Sequence, residues 1–255
     1  MAIQKTEAFV LKTQPFRSSS LIVTFFSNSF GKLRGLVKGV RQEREMRGAF
    51  FELFTRLEIV FYEKTRSDLH LVSESSLLES NDVLRTNLQG ISYASYFSEL
   101  VDTLTEVHDP HDKIFELLDF SFRFLPSIPG ERLARLFEIK LLGEIGWLPY
   151  LEGCLNCQVS PLEKGFFSVK QGALLCRNCA PQFPDARVLA TESLATLRYY
   201  LFHSMEESLK HPLSRTSSAE LEDLLSRFLL FRLGRPFKSR RFMQAIKPAL
   251  SLPLK

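Results

Sequence analysis

The chain has 255 residues, 45% of them apolar and 24% charged, with a formal net charge of +4. That is the composition of a globular protein that buries a core unaided, in one large domain or two to three small ones. No apolar run approaches the roughly 20 residues that cross a bilayer, and the opening Met-Ala-Ile-Gln-Lys-Thr-Glu lacks the basic-then-apolar order of a signal peptide, so a cytoplasmic protein is expected.

Up to about residue 80 the sequence reads as short strands: Glu7–Thr13, Ser20–Ser27, Lys32–Lys38, Leu53–Glu63 and Leu69–Ser73. They are rich in β-branched and aromatic residues and are broken by turn residues at Gln14-Pro15, Asn28 to Gly31 and Arg66 to Asp68. Five strands in so short a stretch suggest a small barrel, OB-like or SH3-like, over a sandwich of about seven.

Beyond Asn81 apolar residues recur at three- and four-residue spacing through Val83, Leu84, Leu88, Ile91, Ala94, Phe97, Val101 and Leu104. Further helical patterns cover His111 to Phe124, a stretch after Pro129-Gly130, Glu192–Leu209, Ser218–Leu233 and Ser239–Leu250. The expected architecture is α+β: residues 1–80 form the barrel, and residues 81–255 form a helical domain with an insertion at about 150–183. Charge follows the same division. Residues 1–80 hold 12 Lys+Arg against 9 Asp+Glu, residues 81–150 hold 6 against 11, and residues 151–255 hold 15 against 9. Basic segments at both ends hint at contact with a polyanion.

All four cysteines lie in the insertion, as CLNC from Cys154 and CRNC from Cys176. In a reducing compartment this count favours metal or redox chemistry over disulfides. Each CxxC turn brings two sulfurs to one side, so Cys154, Cys157, Cys176 and Cys179 supply the four ligands of one tetrahedral Zn2+ site. The intervening GFFSVKQGALL reads as a hairpin turning near Gly172. A thioredoxin-type redox pair and an iron–sulfur cluster are the other readings. Four thiolates leave no open position for water, so the zinc is expected to be structural.

The segment Gly31 to Gly48 carries Lys32, Arg34, Lys38, Arg41, Arg44 and Arg47, opposed by Glu43 and Glu45. On a strand, Lys32, Arg34 and Lys38 share one face and can follow a phosphate backbone. Phe25, Phe26, Phe30, Phe50 and Phe51 are either barrel core or a stacking platform for bases. Near the end, GRPFKSRRF clusters Arg235, Lys238, Arg240 and Arg241, either to bind a phosphate or a partner's carboxylates or as a solvated helix start. In HDPHD, Asp109-Pro110 reads as a helix stop and Asp112 as a start, in preference to a metal site. The phosphate-binding, dinucleotide-binding and nucleophile-elbow motifs are all absent from the sequence, and nothing indicates catalysis.

In EAFVLKTQPFRSSSLIVTFFSNSFGKLRGLVKGVR, in the CxxC…CxxC that follows GEIGWLPYLEGC, and in GRPFKSRRF, the chain resembles the RecO family of bacterial DNA repair and recombination mediators over essentially its whole length. The resemblance implies an OB-fold followed by a helical domain with a zinc module. It implies binding of single- and double-stranded DNA, annealing of complementary strands, association with RecR, and help in loading RecA onto strands coated by the single-strand binding protein SSB. It further implies recognition of the acidic C-terminal tail of SSB, for which Arg235, Lys238, Arg240 and Arg241 are candidate cations, and a location at the bacterial nucleoid. DNA contacts fall on Lys32, Arg34, Lys38 and Arg41, and zinc ligands on the four cysteines. Arg44 and Arg47 rest on charge alone, because RQEREMRG departs from the common family pattern after Val40. The rival readings are a zinc-stabilised scaffold that binds only protein and a zinc-dependent nucleic-acid enzyme.

Overall fold

The computed structural model describes residues 2–40, 50–64 and 67–250, with side chains of the last helix up to Ala245. Arg41, Arg44 and Arg47 therefore lie outside the described residues. The chain forms two compact units, residues 1–128 with 237–255, and residues 129–236. No helix among the described residues is long and apolar enough to cross a membrane.

In the first unit five strands close a barrel: β1 Ile3–Phe16, β2 Ser20–Ser27, β3 Gly31–Val37, β4 Arg56–Tyr62 and β5 Leu69–Glu79, in the order β1-β2-β3-β5-β4. All pairings are antiparallel except β3 with β5. The strand count left OB-like and SH3-like barrels open, and this is the OB-fold that the resemblance implies. Period-two alternation builds the interior from Ala8, Val10, Val23, Phe25, Leu33, Val37, Leu57, Ile59, Phe61 and Val72. The stacking alternative for the phenylalanines is overturned. Phe25, Phe26 and Phe51 are buried, and Phe30 and Phe50 pack against the barrel core.

A 3-10 turn at Asp82–Arg85 leads to α1 Leu88–Leu104, whose Asn87 cap accepts from the Gly90 N–H, and to α2 Asp112–Phe124. Phe115 and Phe122 of α2 pack on Phe9 of β1, the first tilted and the second edge-on, at ring distances of 4.9 and 5.4 Å. Arg56 ties the same junction by donating to Asp119 of α2 at 2.9 Å and to Glu7 of β1. The last helix of the chain, α7 Lys238–Leu250, packs on α1.

The second unit holds α3 Gly130–Glu144, α4 Thr191–Phe202, α5 Met205–Lys210 and α6 Arg215–Leu233, with α3 packed against the other three. The single helix expected over Glu192–Leu209 is broken at His203-Ser204. There Ser204 and Glu207 form a capping box that starts a new helix. Between α3 and α4 lies a three-stranded sheet, β6 Gly165–Ser168, β7 Ala173–Leu175 and β8 Arg187–Leu189, ordered β7-β6-β8. The hairpin turns at Gly172 with φ +63°, a conformation glycine reaches without strain.

Candidate nucleic-acid interface and metal centre

Strand register arranges the outer face of the barrel in rows. One row is Phe9–Phe26–Lys32 across β1, β2 and β3, and the next is Lys12–Thr24–Arg34–Leu69 across β1, β2, β3 and β5. The first is closed over: Phe9 and Phe26 are fully buried, and α2 lies on Phe9. The second is open, with Lys12 and Arg34 exposed and Thr24 partly so. Lys12 reaches this face because β1 carries a bulge between Val10 and Lys12, which inserts Leu11 and reverses the alternation beyond it.

Lys32 and Arg34 are two residues apart on one face of β3, yet they have different surroundings. The Lys32 ammonium donates to the Asp102 and Thr105 carbonyls at 2.5 and 2.7 Å and sits 3.7 Å from the Asp102 carboxylate. Its side chain keeps only 13% of its exposure. These carbonyls end α1, where the helix dipole and unsatisfied C=O groups favour a cation. Lys32 is therefore held by the protein itself. Arg34, Lys12 and Lys38 are exposed, and their side chains make no ion pair or hydrogen bond among the described residues. Arg17, at the β1–β2 turn, lies over the Phe16 ring at 5.3 Å. The outward position of Lys12 was not readable in the sequence, since the bulge that turns it outward has no signature in the alternation of EAFVLKT.

The HDPHD segment closes the rim of the barrel. Val107 bridges to Lys32, the His108 N–H donates to the Lys32 carbonyl at 3.1 Å, and Gly31 lies so close that a Cβ there would stand 2.0 Å from the Asp109 oxygen. The Nε2 atoms of His70 and His108 are 3.2 Å apart. Because His70 Nδ1 accepts from the Lys64 N–H, its proton sits on Nε2 and is donated to His108. Burial, then the neighbouring His108, hold the His70 pKa below the usual histidine value.

Near the C-terminus, Glu99 of α1 accepts from the Lys238 and Ser239 N–H groups at 2.9 and 2.7 Å. A carboxylate thus caps a helix whose first turn is otherwise basic. Phe237 anchors the turn edge-on against Tyr96 at 5.9 Å. Arg235, Lys238 and Arg241 are exposed, and Arg240 is partly buried.

Among the described residues, the metal-ligating side chains that gather in a group of three or more are Cys154, Cys157, Cys176 and Cys179, with all four sulfurs within 4.8 Å of one another. A tetrahedral ion with Zn–S bonds of about 2.3 Å needs sulfurs about 3.8 Å apart, and Cys157 Sγ and Cys176 Sγ are 3.7 Å apart. The donor set and spacing therefore fit such an ion. Knuckle turns fix the cage: the Cys154 carbonyl accepts from the Gln158 N–H at 2.8 Å, and the Cys176 carbonyl from the Cys179 N–H at 3.1 Å. The first knuckle is sewn to β7 by the Leu155 N–H donating to the Leu174 carbonyl at 2.8 Å. Burial opposes ionisation of Cys154, but N–H groups of the two knuckles outweigh it and bring its thiol down to about 6. At Cys179 the Asn156 amide favours the thiolate, yet burial and the other three sulfurs push it up to about 11. Four sulfurs this close ionise together only around a cation.

An OB-fold barrel with an uncovered cationic face, carried by a chain that also builds a closed four-cysteine knuckle pair, defines the class of this protein. Comparison with known proteins gives its family. Residues 1–81 match the family model described as recombination protein O N terminal, and residues 85–241 match recombination protein O C terminal. The chain belongs to the RecO family. It is 32% identical over 251 residues to the DNA repair protein RecO of Syntrophus aciditrophicus (strain SB), spanning 96% of this chain and 97% of that one. It is likewise 32% identical over 249 residues to that of Anaeromyxobacter sp. (strain K), across 96% and 98%. Identity to that of Halalkalibacterium halodurans is 26% over 244 residues, across 95% of each.

Proposed function

We propose that this chain is a non-enzymatic mediator of DNA repair and recombination in the bacterial cytoplasm, at the nucleoid. It binds single- and double-stranded DNA on the open face of its barrel, anneals complementary strands, and with RecR helps load RecA onto SSB-coated DNA. The observation that carries this reading is the Lys12–Thr24–Arg34 row, whose cations have no side-chain partner among the described residues, beside a row the helices cover. Charges left unpaired on a strand face are available to phosphates, and each phosphate neutralised releases counterions. Screening of two like-charged strands on one basic surface lets them approach and pair.

Within the stripe, Arg34 and Lys38 are the primary contacts, joined by Lys12 and Arg17 and continued by Arg41, with Arg44 and Arg47 as further candidates. Lys32 supports them by holding the end of α1. The four cysteines hold one structural Zn2+ ion, which supplies a tetrahedral crosslink and no reaction. Arg235, Lys238, Arg240 and Arg241 are the proposed cations for the acidic tail of SSB.

Annealing of complementary strands precoated with SSB, with and without its acidic tail, tests the whole reading. Stimulation with intact SSB that disappears for Arg34→Ala combined with Lys38→Ala supports it. Full stimulation by that variant removes the barrel face from the mechanism. Stimulation that survives removal of the tail removes the tail contact.

A further inference from the structure

Beside the cationic row the barrel presents a second open row of different chemistry. Two positions further on, in the same direction on every strand, register sets Gln14, Ile22, Leu36 and Leu71 side by side across β1, β2, β3 and β5. Ile22, Leu36 and Leu71 point outward, because their neighbours Val23, Val37 and Val72 face the barrel interior. All three are partly exposed. Adjacent strands lie about 4.8 Å apart and alternate residues about 6.8 Å apart, so the aliphatic strip lies directly against the cations. Lys12 and Arg34 border it on one side. Beyond it on the other are Arg17, at the β1–β2 turn, and Lys38, one residue after the end of β3.

An aliphatic strip bordered on both sides by cations distinguishes the two forms of DNA. A duplex offers phosphates outward and keeps its bases stacked inside, so it engages the cations and gains nothing from the strip. A single strand offers phosphates along one edge and unpaired bases along the other. We propose that Ile22, Leu36 and Leu71 seat the unpaired bases of a single strand whose phosphates follow Lys12 and Arg34, while a duplex is held by the cations alone. This rests on the reading of the barrel face as the DNA-binding surface. The three residues of the strip are aliphatic, and the aromatic residue in register with them is Tyr62 of β4, opposite Leu71. The strip's contact with a base is aliphatic packing, tolerant of sequence and at the weak end of base contacts.

The test measures binding of the full-length protein to three ligands across a salt series: oligo-dT, an oligomer of the same length made of abasic sugars, and a blunt duplex. Ile22→Thr combined with Leu36→Thr keeps β-branched or strand-compatible residues and removes most of the strip. It is expected to weaken oligo-dT binding about fivefold to tenfold at unchanged salt slope, and to leave the abasic oligomer and the duplex within about twofold. Arg34→Ala is expected to weaken all three and flatten the slope. Equal loss on all three ligands from the double variant, or no loss on oligo-dT, overturns the strip while Arg34→Ala still has its effect. If Arg34→Ala and Lys12→Ala change none of the three, the barrel-face reading itself fails. Should the double variant not fold, photo-crosslinking of the wild-type protein to a strand containing 4-thiothymidine decides. Adducts on peptides containing Ile22, Leu36 or Leu71 support the proposal, and adducts confined to other peptides overturn it.

Discussion

The barrel face and the cysteine module treat their polar groups in opposite ways. In the module every sulfur turns inward to the other three, and knuckle N–H groups support the cage. On the barrel face Lys12, Arg34 and Lys38 meet no counter-group among the described residues and point to solvent. The same contrast recurs within β3, where Lys32 is caged by helix carbonyls and Arg34 is free. Charge in a sequence therefore does not distinguish structure from binding. Whether the fold already supplies the counter-charge does.

Metal removal should separate the two regions most sharply. Structural zinc contributes about 10–16 kcal/mol to small zinc-dependent folds, so Cys176→Ser, or chelation, should abolish zinc retention and unfold residues 154–189. Metal analysis and limited proteolysis read this directly. Affinity of the folded barrel for oligo-dT should change by less than about twofold. A selective loss of DNA binding with the module intact would place the cysteines in the interface.

The next test lies inside β3. Lys32→Met removes two charge-assisted hydrogen bonds and leaves two helix-end carbonyls unsatisfied, so unfolding of the first unit should lose about 2–3 kcal/mol. Arg34→Ala should cost under about 0.5 kcal/mol, but should weaken single-strand binding and lower its salt slope by about 0.7. Denaturant melts and salt titrations of the two variants should give this crossed pattern. Two variants with the same profile would erase the distinction between the caged and the free cation.

Much of this was legible because local rules dominated where they were read. Alternation in SLIVTFFS and KLRGLVK identified β2 and β3, and the paired CxxC spacing identified the sulfur cage. The misses are long-range or local exceptions. The Lys32 cage is made by residues about 70 positions away, as is shown by the separation to Asp102, and no pattern near Lys32 announces it. The β1 bulge puts Lys12 on the face that alternation assigns to its neighbour. β8 is three residues long and is a strand only because β6 pairs with it. The break at Ser204 was readable in Ser-Met-Glu-Glu, where a capping box interrupts an otherwise continuous apolar period.

Glu99 gives a smaller effect on a surface where charge is part structural and part free. Its carboxylate caps α7 from another helix, so Glu99→Ala should destabilise the docking of α7 by about 0.5–2 kcal/mol. Faster hydrogen exchange at the Lys238 and Ser239 amides should follow, with the barrel amides unchanged. Protection that stays at the wild-type level would mean that Phe237 packing alone holds the helix start.

The smallest effect belongs to Asp185, inside the module and independent of its sulfurs. Burial raises its pKa, but the Lys170 N–H and the Ser168 hydroxyl, both donating at 2.9 Å, outweigh this and hold it below the usual carboxylate value. A depressed folded pKa means that the ionised group stabilises the β6–β7 hairpin fully above the unfolded value of about 3.9. That contribution is lost as pH falls through the lower, folded value. Asp185→Asn keeps the shape and one acceptor, so it should cost the module about 1 kcal/mol near neutral pH. The difference from wild type should shrink toward zero on acidification below about pH 4. Carboxyl chemical-shift titration of Asp185, with hairpin amide exchange in both proteins, follows the two together. A difference that persists unchanged at low pH would assign the effect to packing and leave the module, unlike the barrel face, without any role for fixed charge outside its cage.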